Sequence, residues 1–475
     1  MRPIAVTTSG TPNASQIVWT LAWPAVALNS LQVVNQLLDR LFLGSLDDSA
    51  LTAHGAAINV LFLMFSIAIS FGTGITAIVS RAFGAERPAE YRRAHRQGFR
   101  LAIVAGFICM AVTALLAEPA SIALIRADNP DAIREMTAFV RMYAIGLPAV
   151  FVIQSLAGAL RGVGDTKSPM VISGVQILLH IVLNYMLIFP ARNLGGVTLP
   201  GAGLGLAGAG LAISLSSILA MLAYVPYVSR TPLGGVQRLA LPGWPWVKRI
   251  MAIAIPAGVM SILRVFSLTA FSLAVKLVEN GSEATAAMSV AFAIESVMFM
   301  PAFGLSAAAG ALVGQSLGMG DPDRASRLAW TAAHWSAAVT IVLCGPVFLL
   351  AQPIAHGMLP GKPLIEREAV SLIQWLCATE IFFSYAMVLM GAMQGAGDTK
   401  RPLWIAIWSL WGLRVPLAFI LTLPTGFAIL GPISLPWGAA MGSTGAWLAM
   451  SATQFVQGAL SIWAWRAGKW RTAKV

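Results

Sequence analysis

Apolar residues run in stretches of about twenty positions along nearly the whole chain, from Ser15 to Ala464, broken only by short polar segments. Each stretch is long enough to cross a hydrocarbon core about 30 Å thick as a helix. The pattern predicts spans at 15–43, 51–79, 97–117, 136–160, 168–190, 204–228, 247–278, 285–315, 327–351, 367–392, 401–424 and 437–465. The expected fold is therefore an all-α polytopic membrane protein of twelve transmembrane helices. So much of the length is taken up by spans that no separate soluble domain fits.

Polar residues inside apolar runs mark faces turned away from lipid when they recur at helical spacing. In the first span Asn29, Gln32, Asn35, Gln36 and Asp39 follow steps of three and four, and in the fifth Gln176, His180 and Asn184 are four apart. Tyr143 in the fourth span could add a hydroxyl. Such stripes also serve as hydrogen-bonding glue between helices, worth about 0.6 kcal/mol per bond. Asp39 differs, because an acid at mid-membrane costs about 2.5–3.5 kcal/mol and needs a return, unless Arg40 turns to meet it. In the second half of the chain Glu295 lies among Phe292, Met298 and Phe299, and Glu380 lies near Phe383. Acids among aromatic and thioether groups suit a cationic amphipathic guest. Arg264 and Arg414 are alternative partners for both acids, and Trp404, Trp408 and Trp411 share a face suited to lipid contact.

Composition agrees: 57% of residues are hydrophobic, 11% are charged and mean hydropathy is +0.77, against about a quarter charged in soluble proteins. The net charge of +12 is explained by where it sits. Arg81, Arg87, Arg92, Arg93, Arg96, Arg100, Arg161, Lys167, Arg230, Arg238, Lys248, Arg249, Arg324, Arg327, Lys400, Arg401 and the tail fall in alternate loops. The opposite loops carry Asp47, Asp48, Glu279 and Glu283. The positive-inside rule then places both termini and the mid-chain loop in the cytoplasm, in an inner membrane, with no nucleic-acid role. Cys109, Cys344 and Cys377 all sit in apolar runs without metal-ligand spacing and read as packing residues.

The chain also repeats itself. Gly162 to Pro169 recurs as Gly395 to Pro402, Pro24 recurs as Pro256, and Gly84 and Pro88 recur as Gly318 and Pro322, all at offsets near 233. This predicts two homologous six-helix halves of like orientation. The domains are a 1–14 cytoplasmic segment, a 15–228 N-terminal lobe, a 229–246 linker, a 247–465 C-terminal lobe and a 466–475 basic tail. In the duplicated turn Gly164 and Gly397 permit a tight left-handed backbone, and Asp165 and Asp398 can cap the next helix. At the repeat offset His180 and Asn184 fall opposite Leu413 and Leu417, and Asp39 falls opposite Phe271.

The stretches Leu160 to Lys167 and Gln394 to Lys400 resemble the paired signature of the MATE (multidrug and toxic compound extrusion) family, and the likeness extends over essentially the whole chain. The resemblance implies two lobes around a V-shaped cleft. Pro24 and Asp39 match the kink proline and coupling aspartate on the first helix of its DinF-like branch. In sodium-binding members the positions of His180 and Asn184 carry Asn and Asp, and a sixth-helix Thr falls near Ile213. This chain departs at all three, which favours protons over sodium.

The expected function is a secondary antiporter, not an enzyme, that exports small cationic or amphipathic compounds in exchange for protons. Its expected partners are those compounds, protons and the bilayer, with a monomer and no cofactor. Asp39, Asn35, Gln36, Tyr143, His180 and Asn184 are the coupling candidates. Gln32, Gln176, Arg264, Phe292, Glu295, Met298 and Glu380 are the substrate candidates. A lipid-linked precursor flippase of the same superfamily and a sodium-coupled exporter are the alternatives. No nucleophile elbow, Walker loop or paired-histidine zinc pattern supports catalysis or ATP-driven transport.

Overall fold

The computed structural model of the chain describes residues 13–44, 46–125, 129–194, 197–236, 240–430 and 433–473. The helices of the first half are α1 (Ala14–Leu43), α2 (Asp48–Gly84), α3 (Pro88–Leu124), α4 (Pro130–Ile145 and Leu147–Gly162), α5 (Lys167–Ile188) and α6 (Gly205–Ser229). Those of the second are α7 (Trp244–Lys276), α8 (Gly281–Gly318), α9 (Pro322–Leu349), α10 (Pro363–Gly395), α11 (Lys400–Thr422) and α12 (Gly442–Arg466). Their starts follow ordinary end chemistry. Pro88, Pro130, Pro322 and Pro363 occupy first turns, where a missing N–H is harmless, and Asp47, Asn129 and Asp321 accept backbone N–H groups of α2, α4 and α9.

Ten of these helices are individually long and apolar enough to cross a membrane, and α4 counts as an eleventh when its two parts are joined. At 25 residues α12 is long enough too, but its apolar character is diluted by Thr453, Gln454, Gln457 and Ser461, which it buries against its neighbours. The span read at 136–160 is present but bent, α4 turning by 46° at Gly146. Pro148 cannot continue the hydrogen-bond ladder there, and the Ser214 hydroxyl donates to the carbonyls of Met142 (2.6 Å) and Tyr143 (3.1 Å). Two segments between spans form antiparallel strand pairs. They pair β1 (Pro190–Leu194) with β2 (Val197–Ala202), and β3 (Ala428–Leu430) with β4 (Ile433–Ser434).

The halves are joined by an exchange of their first helices. Val18, Leu21 and Ala22 of α1 are buried in a core with Leu305, Leu312, Leu328 and Val388 of the second half. Reciprocally, Ile250 and Ile253 of α7 are buried with Phe71, Ile75 and Phe151 of the first. At its far end Leu43 is buried with Ala53, Phe139 and Ile188 of the first half, so one helix touches both. At the end where the basic loops cluster, α2 and α8 approach through small residues. A Cβ on Gly314 would lie 2.9 Å from Ser80 Cβ, and the Gln315 amide donates to Gly162 O across the halves at 2.9 Å. Arg249 of α7 meets Glu90 of α3 at 2.7 Å, also across the halves.

Candidate functional site

Two helical faces, each set by a four-residue step, meet at Asp39. From α5, the Asn184 side-chain amide donates to Asp39 Oδ1 at 2.6 Å, and His180 Nε2 lies 3.2 Å from the same oxygen and 3.4 Å from Oδ2. From α1 itself, Asn35 donates to Oδ2 at 3.2 Å. Asn184 and His180 also touch each other at 3.1 Å. His180 and Asn184 are buried, whereas the Asp39 side chain keeps 22% of its surface exposed. The carboxyl is thus held by polar groups and still open to exchange. Arg40, the neighbouring base that might have neutralised it, is exposed. Asn35 Oδ1, Asn184 Oδ1 and His180 Nδ1 are buried without a partner.

Not every polar residue of the stripes joins this cluster. Gln36 is exposed and Gln32 half-buried, while Asn29 donates to Met300 O of α8 at 3.4 Å and helps tie the halves. Gln176 donates to Ser217 of α6 at 3.2 Å. Tyr143 is buried in an apolar cluster with Ala144 and Leu147, packed on Leu61 and Met64. One group that sequence spacing did not single out is His54 of α2, whose ring lies near enough to Asp39 and Arg40 to interact with both charges.

The duplicated turns are alike down to the backbone: Gly164 and Gly397 both have φ of +87°, a region that disfavours any side chain. Asp165 accepts from Ser168 N (3.0 Å), Ser168 Oγ (2.8 Å) and Tyr227 OH (3.0 Å). Asp398 accepts from Arg401 N (3.4 Å) and pairs with the Arg401 guanidinium. Both aspartates therefore cap their own turns, and Asp165 also ties its turn to Tyr227 of α6.

The second half carries a different polar interior. Gln454 of α12 donates to Glu295 Oε1 and to Glu380 Oε2, each at 3.3 Å, and accepts from Thr379 at 2.5 Å. Glu380 has no exposed surface, Glu295 has 8%, and Glu380 Oε1 has no partner. Among the described residues no ion pair joins either acid to Arg264 or Arg414. Arg264 reaches Met387 Sδ at 3.4 Å instead. Met298 is buried against Cys344 and Cys377, and Phe292 packs beside it. Gln454 escaped the sequence reading, although Gln454, Gln457 and Ser461 recur at helical spacing.

The register between halves also needs correction. α5 has 22 residues and α11 has 23, because residues Ile407–Arg414 form a π-helical segment. A π segment absorbs one extra residue, so the offset rises from 233 before it to 234 after it. The prolines that follow each helix, Pro190 and Pro424, agree with the larger offset. His180 therefore corresponds to Arg414, and Asn184 to Ala418, and all four are buried. Leu413 and Leu417 are not their counterparts.

Comparison with known proteins agrees with this architecture. The MatE family profile matches residues 24–186 and again 256–420, once per half. The Probable multidrug resistance protein NorM of Thermotoga maritima is 27% identical over 96% of this chain and 93% of its own length. The multidrug resistance protein MdtK of Yersinia pseudotuberculosis is 28% identical over 92% of this chain and 96% of its own. A multidrug resistance MATE family transporter of the MOP superfamily, solved in an outward-facing conformation, superposes with a TM-score of 0.84 at 17% identity, covering 96% of both chains.

Proposed function

The chain belongs to the MATE family, a family of multi-pass membrane transporters, and from that premise we propose that it is a secondary antiporter exporting small cationic or amphipathic compounds in exchange for protons. The observation that carries this reading is the single carboxyl of Asp39, partly open and ringed by Asn184, His180 and Asn35. Such a group can take a proton from one side and release it to the other as its surroundings change. Each proton entering is worth about 1.4 kcal/mol per pH unit, plus about 2.3 kcal/mol per 100 mV if one net charge crosses. Asp39 lies on the helix that also enters the core of the other half, so a change in its charge has a direct mechanical route to the interface. In this reading the basic end is cytoplasmic and shut, and the cleft opens on the other side. The names of the relatives support a drug-like substrate.

A sodium-coupled reading draws on the unpartnered, buried Oδ1 atoms of Asn35 and Asn184, which could join the carboxylate around a hard cation. Proteoliposomes loaded with a fluorescent organic cation, with pH and sodium gradients imposed separately, decide between them. The expected result is export under the pH gradient alone, lost in Asp39→Asn. Export driven by sodium alone, or an unimpaired Asp39→Asn, would overturn the proposal.

A further inference from the structure

After α12 the chain turns back at Gly468, whose φ of +70° glycine adopts without strain, and forms a short 3-10 turn, Lys469–Thr472. Trp470 is almost wholly buried. Its ring stacks on Trp465 at 4.0 Å with 6° between planes, and its Nε1 donates to Trp465 O at 2.8 Å. This anchors the segment to the second half and presents the Ala473 carbonyl to the first. Arg81, at the end of α2, donates from one nitrogen to Ala473 O at 2.6 Å and to Ala396 O at 3.4 Å. One guanidinium thus ties the first half to the tail and to the duplicated turn of the second. A cavity of about 480 Å³ adjoins the contact, lined in part by Arg81, Glu90, Arg249, Thr472 and Ala473.

We propose that the segment Gly468–Ala473 is a latch that Arg81 closes, holding the basic ends of the two halves together. The inference deepens the antiport reading and rests on it for its role in transport. Alternating access requires the basic ends to part, and the carbonyls held by Arg81 sit on the half that moves away from it. The contact is strong enough to bias the equilibrium, because a charged donor meets a carbonyl at short range. It is also releasable, because water in the adjoining cavity can replace the carbonyls as they leave. Anchoring by a buried Trp stack keeps the tail in place for re-engagement. The ion pair of Arg471 with Asp323 at 3.2 Å lies wholly within the second half, so it holds the tail without bridging anything.

The test uses the full chain in lipid nanodiscs with spin labels at Arg93 and Arg327, exposed positions near the basic ends of the two halves. Distance distributions then report closure independently of any transport. Arg81→Gln should raise the ratio of separated to closed molecules about fivefold, the net worth of one hydrogen bond. Trp470→Ala should do the same from the tail's side, and Arg141→Ala, which breaks only the exposed pair with Glu118 within the first half, should leave the ratio unchanged. Wild-type distributions in both Arg81→Gln and Trp470→Ala, or an equal shift in Arg141→Ala, would overturn the latch. If instead the distances shift as expected but no gradient drives export in the wild type, the latch stands and the antiport reading fails.

Discussion

Asn184 donates to Asp39 across the α1–α5 interface at 2.6 Å, closer than Asn35 or His180 comes to the same carboxyl. Asn184 is buried, so water cannot readily take its place at that bond even though Asp39 is partly open. Asn184→Leu, of similar volume, should fold but lose about 1.5–3 kcal/mol of stability, the worth of a hydrogen bond to a charged group. Export driven by a pH gradient should fall with it. Gln176→Leu, which removes only the contact with Ser217, is the control and should cost less than about 1 kcal/mol and spare coupling. Thermal unfolding in detergent and the liposome assay together check both halves of this expectation, and an Asn184→Leu protein with wild-type export would contradict it.

Gln454 is the only side chain seen to hydrogen-bond both Glu295 and Glu380 among the described residues. Replacing it with leucine strands two buried carboxyls, so Gln454→Leu should destabilise by about 1–3 kcal/mol. Adding Glu380→Gln should recover part of the loss, since one acid then has no charge to leave unpartnered. A double-mutant cycle read by thermal unfolding measures this, and strictly additive losses would show that Gln454 and Glu380 are not coupled.

Glu90, ahead of the span read at 97–117, bridges the halves at their basic end. Burial alone would push its carboxyl up, but the guanidiniums of Arg249 and Arg87 outweigh burial and hold it below the usual carboxylate range. A folded-state value below the unfolded one means that the bridge stabilises fully above the unfolded value, about 4.3, and is lost as pH falls through the lower folded value. Acidification from pH 6 to below 4 should therefore loosen the basic end of the wild type. Glu90→Gln, already lacking the charge, should show a smaller change over the same range. Spin-label distances at Arg93 and Arg327 follow it, and equal responses in both proteins would exclude Glu90 as the cause.

Much of this molecule could be read from the order of its residues. Runs of apolar residues demand helices, because lipid offers backbone groups no other partner. The twin Gly-x-Gly-Asp-Thr-Lys turns require a positive φ at the same glycine twice, and Gly164 and Gly397 have it. The four-residue steps of Asn35 with Asp39 and of His180 with Asn184 follow from helix geometry alone, so each pair was bound to share a face. What the residue order left open was which faces would meet. That Asp39 finds Asn184, 145 positions away, depends on how α1 packs on α5. That α1 also enters the core of the other half depends on the exchange with α7. Neither leaves a periodicity to read.

The bend of α4 and the π segment of α11 show the same limit. Pro148 lies in the sequence for anyone to see, but a proline near a helix end can start a helix as readily as break one, and only packing against Ser214 decides. The one-residue expansion of α11 moves Arg414 opposite His180 and makes a constant repeat offset misleading. Sequence by itself determined the helices, their duplication and the polar residues each half could use. Tertiary packing decided which of those residues became partners, because hydrogen bonds between helices depend on rotation and depth, and a single inserted residue turns every later side chain by about 100° unless a π segment absorbs it.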